Sequence, residues 1–339
     1  MPKLIRNQSL KSLHTFGVEA KAKHYYELNS EIDVFDFLTE IDDIAKPLYI
    51  LGGGANTLFT SNFKGSIVKV NMQGITLMHQ DEDYYYVEAN AGVNWDDFVA
   101  YCVENKYYGA ENLVAIPGTV GAAPIQNIGA YGVEAKDIIH MVYFYNIDSF
   151  MLNQLEAKSC KFGYRDSIFK NELKDKVLIT KVLFKLSKKP NFKLSYGKIN
   201  EVLEQKGVSD PQISDIANTI REIREEKLPD VKKIGNAGSF FKNPIITIEQ
   251  LNIIMKDFPN VVSYAISDTE VKLAAGWLID NAGLKGYTIG GASVHQNQAL
   301  VLINSSNATG HDVVALSQYI QKEIKQIYGV DLKPEVVFV

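Results

Sequence analysis

The sequence predicts an α+β chain built as three units, on three observations. Residues 1–70 set one helical pattern among short apolar runs, the region from about residue 71 is richer in strands, and a third region opening on the helix "SDIANTIREIREEK" alternates helices with strands. The last stretch, residues 330–339, is strand-like and departs from the third unit's pattern, so it reads as a tail returning to an earlier unit. A length of 339 residues exceeds one ordinary small core, which agrees with several domains.

In the first unit, apolar residues at Val34, Phe35, Phe37, Leu38 and Ile41 fall at helical spacing. "PLYILGGG" follows as a buried strand entering a glycine turn, and "GSIVKV" as a second strand, giving a small β-α-β unit. In the second unit "YYYVEANAG" alternates as a strand does, and "NWDDFVAYCVEN" is helical with Asn94 as its N-cap. The strand-like runs "HMVYFYN" and "KVLITKVLFKLS" enclose a loop containing "FGYRDSIFK". The third unit opens on the amphipathic helix "SDIANTIREIREEK", which must stop by Leu228, because Pro229 disfavours a helical residue before it. In the third unit "TIEQLNIIMKDF" starts on a capping box of Thr247 and Gln250. "EVKLAAGWLIDNAG" reads as one helix closed by Gly283, followed by a strand "QALVLIN" and a long helix from about His311 to Tyr328.

Hydrophobic residues at 46% and charged residues at 22% are the balance of a soluble globular protein. The formal net charge of -5 argues against general nucleic-acid or anionic-membrane binding, both of which need a basic surface. It leaves room for a local basic pocket around a phosphorylated small molecule. Cys102 and Cys160 form no CxxC spacing and no Cys/His cluster, so neither a disulfide framework nor a metal site is expected. The segment "MPKLIRNQSLKSLHTFG" has no apolar core of signal-peptide length, and no run of about 18 apolar residues occurs. A cytoplasmic protein in a reducing compartment is expected.

Two glycine-rich segments carry the first chemical signal. "LGGGANTLF" follows a strand, where consecutive N–H groups without a Cβ in the way can wrap an anion. It lacks the Gly-Lys-Ser/Thr of a phosphate-binding P-loop and the spaced glycines of a Rossmann turn, and a tight strand-to-strand turn accounts for it equally. The segment from Ala115 to Gly132 holds four glycines and two prolines yet stays apolar between them. Solvent loops are usually polar, so this composition suits either backbone pressed against a flat ligand or a buried crossover.

Among single residues, Ser239 in "GNAGSFFKNP" has no base at nucleophile-elbow or triad spacing among the six histidines, which argues against a nucleophilic role. A proton donor and a turn serine capping its own backbone both remain. Arg165 in "FGYRDSIFK" has the planar fork that suits a carboxylate, while Asp166 beside it suggests a local ion pair. Glu335 puts a carboxylate before a terminal apolar run, facing either inward to a site or outward from a strand. Lys227, Lys242, Lys272 and Lys285 could supply positive charge for a diphosphate or could be solvated surface.

Eight motifs stand in order: "SLHTFGVEAKA", "LGGGANTLF", "IPGTVGAAPIQNIGAYGVE", "YRDSIFK", "REEKLPD", "GNAGSFFKNP", "KLAAGWLID" and "PEVVFV". Together they resemble the UDP-N-acetylenolpyruvoylglucosamine reductases, flavoenzymes of bacterial peptidoglycan precursor synthesis, and the resemblance spans essentially the whole sequence. It implies a two-part, PCMH-type (vanillyl-alcohol-oxidase-like) module binding FAD non-covalently, made by residues 1–70 with the tail 330–339 and by residues 71–226. A C-terminal α+β substrate-binding domain at 227–329 would take the UDP-sugar. It implies further that NADPH delivers hydride to FAD N5, that the hydride passes to the enolpyruvyl methylene of the UDP-N-acetylglucosamine ether, and that a monomer does this.

By the same resemblance, the flavin would be held by Gly52, Gly53, Gly54, Ala55, Asn56 and Thr57 in the first loop. Ile116, Pro117, Gly118, Gly121, Ala122, Ile128 and Gly129 would hold it from the second. Ser239 would protonate the carbon alpha to the substrate carboxylate, with Arg165 and Glu335 flanking that carboxylate. Substrate contacts would come from Tyr196, Lys227, Asn243 and Gln298. Tyr264 matches the tyrosine of a mobile loop in the subtype with a longer insertion, and Lys272 and Lys285 match that subtype's basic residues. Two departures stand out: Ala55 precedes Asn56 where many relatives have serine, and Ala122 and Ala123 replace serines of some relatives. Both remove a hydroxyl and keep the backbone N–H groups. Another flavin oxidoreductase of the same module is the rival enzyme, but the glycine loops hold no Cys or His for covalent flavin. A non-catalytic UDP-sugar- or flavin-binding protein has no use for Ser239, Arg165 and Glu335 together.

Overall fold

The computed structural model describes residues 2–39 and 45–339, so Ile41 of the first helical pattern lies outside the described residues. The chain folds into two compact units. One comprises Met1–Gln8, Ala22–Gly53 and Lys64–Glu226, the other Ser9–Lys21, Gly54–Phe63 and Lys227–Val339.

The first unit is built on a five-stranded antiparallel sheet, in the order Leu152–Glu156, Ile139–Asn146, Val177–Ser187, Tyr84–Asn90, Ile75–Gln80. Val177–Ser187 is the central strand, apolar at seven of its eleven positions, and most of its residues are buried. Helix Trp95–Glu104 begins where the Asn94 side chain accepts the N–H groups of Asp96 and Asp97. It buries Trp95, Phe98, Val99 and Cys102 in a core shared with Phe184 and with Ile216, Ile220 and Ile223 of helix Ile213–Lys227. A second sheet of four strands has the order Ile5–Ser9, Lys21–Leu28, Phe63–Val70, Leu48–Leu51, the last two parallel. Helix Glu31–Thr39 buries Val34, Phe37 and Leu38 in a cluster with Leu28, Val68 and Val70.

The second unit holds a four-stranded sheet of Gly235–Ser239, Val301–Asn304, Ala292–Val294 and Thr288–Ile289, and a three-stranded sheet of Ile245–Thr247, Glu270–Leu273 and Ser263–Ala265. Helix Gly310–Tyr328 has reciprocal caps between Thr309 and Asp312, and it ends on Gly329 in the left-handed conformation. Its buried stripe of Val313, Leu316, Ile320 and Ile324 joins a core that also takes Phe16, Val18 and Leu58 from the early segments.

Three local expectations change. "EVKLAAGWLIDNAG" is a strand, Glu270–Leu273, followed by a helix, Ala275–Asn281. Val271 and Leu273 are buried while Lys272 between them is not, the period of a strand. The Thr247 cap is one-sided: its hydroxyl accepts Gln250 N at 3.2 Å, but the Gln250 amide donates to Gly329 O at 3.4 Å. The terminal strand shrinks to Val337–Phe338, parallel to Thr57–Leu58, because residues 333–335 hydrogen-bond along Phe240 and Lys242 instead. Among the described residues no helix is long and apolar enough to cross a membrane, and no group of three or more His, Cys, Asp or Glu could hold a metal.

Candidate active site

In the first unit, strand Leu48–Leu51 delivers Gly52 and Gly53 directly onto the second glycine-rich segment. A Cβ at Gly52 would lie 2.9 Å from Thr119 Oγ1, and one at Gly53 would lie 2.8 Å from Gly118 Cα. At Gly53, where the neighbouring atoms are backbone, only glycine permits the packing. The second segment is held in turn by bonds from Trp95 N to Gly118 O (3.1 Å), Val120 N to Val93 O (2.9 Å) and Gly121 N to Ala91 O (2.9 Å). Gly121 packs on Ala91, and Val120–Ala122 form one 3₁₀ turn. Ile128 is buried, and Gly129 enters the two-residue strand Gly129–Ala130. Thr119 Oγ1 is buried with no hydrogen-bond partner among the described residues. A glycine cradle beside an unused buried hydroxyl fits a polar, flat ligand such as a flavin nucleotide.

Arg165 lies in the turn Gly163–Asp166, which is closed by backbone bonds in both directions. Its φ of 54° puts it in the left-handed region, where a non-glycine residue marks local strain. Nη2 donates to Gly129 O at 3.2 Å, tying the guanidinium to the glycine-rich segment. Asp166 Oδ1 accepts from Asn171 Nδ2 at 2.9 Å. Arg224, which "REEKLPD" contains but which has no role assigned from the sequence, is half-buried. Burial pulls its pKa down, while Tyr131 nearby favours the charge and Arg165 opposes it. Tyr196 is exposed, its ring edge-on to Tyr131 at 6.0 Å. Buried Asn112 ties two segments of that corner together, donating to Tyr131 O (2.9 Å) and Lys193 O (2.8 Å). No sequence motif marked Asn112; a lone buried amide is legible only in the fold.

In the second unit, Ser239 is exposed at the end of strand Gly235–Ser239. The pairing with Val301–Asn304 slips between Asn236 and Ser239, where Gly238 takes φ 67° and donates its N–H to Asn236 Oδ1 at 2.9 Å. Phe240 and Phe241 follow and are wholly buried, which anchors the exposed serine. Phe240 N donates to Leu300 O, Glu335 N donates to Phe240 O, and Lys242 N donates to Lys333 O, at 2.8, 2.8 and 3.0 Å. Asn56 Nδ2 donates to Glu335 O at 3.1 Å. Ser239, Glu335 and Asn56 thus share one backbone framework. Gly54, Ala55, Asn56 and Thr57 all belong to this unit, so the first glycine loop divides between units after Gly53.

The remaining candidates fall into smaller groups. Asn243 Oδ1 caps Ala275 N at 2.9 Å, and Gln298 Oε1 lies 3.6 Å from where a Cβ on Gly276 would be. Tyr264 lies not in a loop but in edge strand Ser263–Ala265, directly opposite Lys272. Lys285 is ion-paired with Asp280 at 2.6 Å. Lys227 is exposed at the end of its helix.

Comparison with known proteins follows the same lines. Residues 22–148 match the family model of an FAD binding domain, and residues 229–339 match that of the UDP-N-acetylenolpyruvoylglucosamine reductase C-terminal domain. The chain is 43% identical to the UDP-N-acetylenolpyruvoylglucosamine reductase of Flavobacterium johnsoniae over 332 residues, 97% of this chain and 98% of that one. It is 45% identical to that of Shewanella oneidensis over 327 residues, 96% and 94% of the two chains. The crystal structure of the reductase (MurB) from Thermus caldophilus aligns with a TM-score of 0.70 and 22% identity, over 100% of this chain and 98% of that one, a likeness of fold. Identity of this extent over nearly the whole length means that the chain belongs to the UDP-N-acetylenolpyruvoylglucosamine reductase family.

Proposed function

We propose that the protein reduces the enolpyruvyl ether of UDP-N-acetylglucosamine to UDP-N-acetylmuramate, using FAD and NADPH, in bacterial peptidoglycan precursor synthesis. The observation that carries this reading is the Ser239–Glu335 framework: an exposed hydroxyl on buried phenylalanines, with a carboxylate-bearing residue bonded to the next backbone carbonyl. FAD, once held by the glycine cradle, supplies hydride transfer from NADPH to the enolpyruvyl methylene.

The chain's own groups handle charge and the proton. Addition of hydride to an enol ether builds negative charge toward the adjacent carboxylate. Arg165 and Glu335 flank that carboxylate; the positive charge of Arg165 stabilises the enol-like intermediate, and preorganised charge of this kind is often the largest catalytic contribution. Ser239 protonates the alpha carbon. Tyr196, Lys227, Asn243, Tyr264, Lys272, Lys285 and Gln298 hold the nucleotide sugar. Asn243 gives its oxygen to the helix at Ala275, so its amide nitrogen makes the nucleotide contact. Lys285 must exchange Asp280 for phosphate. In this reading residues 1–70 with the tail and residues 71–226 form the flavin module, residues 227–329 take the sugar nucleotide, and a cytoplasmic monomer suffices.

An anaerobic two-step titration tests it. NADPH should bleach the yellow protein, and the enolpyruvyl nucleotide should restore the colour. Bleaching without reoxidation by that nucleotide would refute the reductase reading.

A further inference from the structure

We infer that the Asp96–Arg221 ion pair is a positioning device for the flavin loop, an inference that rests on the flavin reading above. Asp96 lies in the first turn of helix Trp95–Glu104, and Arg221 lies on helix Ile213–Lys227. Arg221 grips both carboxylate oxygens, Nη1 to Oδ2 at 2.7 Å and Nη2 to Oδ1 at 2.9 Å. Oδ1 also accepts the backbone N–H of Ala115 at 2.6 Å. Ala115 immediately precedes Ile116, Pro117 and Gly118 and takes φ 57°. A residue with a Cβ stays in that conformation only where its surroundings over-determine it. The neighbouring ties, Trp95 N to Gly118 O and Trp95 Nε1 to Leu113 O, fix the loop on either side of Ala115. At Ala115 itself the carboxylate holds the backbone.

A carboxylate alone accepts an N–H over a broad range of angles. The bidentate guanidinium fixes the carboxylate plane, and with it the direction in which the chain leaves Ala115. Arg221 therefore sets the course of Ile116–Gly118 against Gly53 without touching the ligand. Lysine offers a point charge and holds one oxygen at a time.

The test is FAD titration of apoprotein, followed by quenching of flavin fluorescence, for wild type, R221K, R221M and D96N, with thermal melts of each apoprotein. R221M should weaken FAD binding by about tenfold, the scale of one charge-assisted bond. R221K should recover part of the loss, and the absorption band of flavin bound to R221M should shift toward that of free flavin. D96N keeps an acceptor for Ala115 but loses the charge pair, so it should fall between wild type and R221M. Wild-type affinity and an unshifted band in R221M, whether or not its melting temperature falls, would overturn the inference. If R221M does not fold, wild-type affinity in both R221K and D96N does so. If wild-type apoprotein takes up no FAD, the flavin reading itself fails.

Discussion

Glu335 donates its backbone N–H to the carbonyl of Phe240 at 2.8 Å, which fastens the carboxylate-bearing residue to the residue that follows Ser239. Phe240 and Phe241 are buried, and the bridge between Phe241 and Pro334 extends the pairing. Two groups proposed to act on one three-carbon fragment are thereby spaced by backbone and core rather than by long side chains. Positioning of that kind lowers the entropy lost at the moment of reaction.

Replacement of Ser239 by alanine removes the proposed proton and little else, since the residue is exposed. Flavin reduction by NADPH should be nearly intact, while reoxidation by the enolpyruvyl nucleotide slows by about 10²–10⁴-fold. Stopped-flow absorbance resolves the two halves. Equal slowing of both would assign Ser239 a packing role.

Gly53→Ala sets a methyl group 2.8 Å from Gly118 Cα, where both partners are backbone and neither can swing aside. Overpacking of this sort costs about 1–3 kcal/mol. The variant should emerge from gel filtration depleted of flavin and melt at a lower temperature. A fully yellow variant with the wild-type melting point would show that the two segments separate easily.

Lys285 is ion-paired with Asp280, and both side chains are partly exposed. Such a pair contributes at most about 1 kcal/mol, so Asp280→Asn should tighten binding of the UDP-sugar product by no more than about fivefold. Calorimetry measures the change. Weaker binding would remove Lys285 from the phosphate site.

His14 is buried, with Nε2 3.1 Å from Val18 O and its ring edge-on to Phe59. Burial pulls its pKa below the ordinary 6.5, and backbone bonds at Val18 and Thr57 offset part of the effect. The unfolded chain therefore takes up the proton first as pH falls. The stabilisation is complete above about pH 6.5 and is lost progressively as pH falls toward the lowered folded value. Urea melts across that window should slope upward with pH, and His14→Gln should flatten the slope. An unchanged slope would place the titration elsewhere.

The sequence made the self-contained elements legible. The helix ending at Tyr328 declares itself through Thr309, Asp312 and Gly329, and the strand Val177–Ser187 through apolar runs interrupted only by Thr180, Lys181 and Lys185 before the closing Ser187. It misled where one pattern satisfies two periods: Val271, Ala275 and Leu278 fall at helical spacing, yet pairing with Ile245–Thr247 and Ser263–Ala265 makes Val271 and Leu273 part of a strand. The motifs marked Ser239 and Glu335, but the slipped pairing that presents Ser239 arises from register with Val301, which no local pattern encodes. Asn112 and Arg221 escaped for the same reason, because each acts on backbone or charge far away in sequence.

The second unit's discontinuity bears on how the protein can be cut and made. Residues 229–339 match one family model and look like a portable domain. Yet Phe16, Val18 and Leu58 sit in that unit's core, and Thr57–Leu58 pairs with Val337–Phe338. An excised C-terminal fragment would expose a vacated apolar seam and aggregate. During translation the early segments 9–21 and 54–63 must likewise wait, unpartnered, until the ribosome has released the other end of the chain.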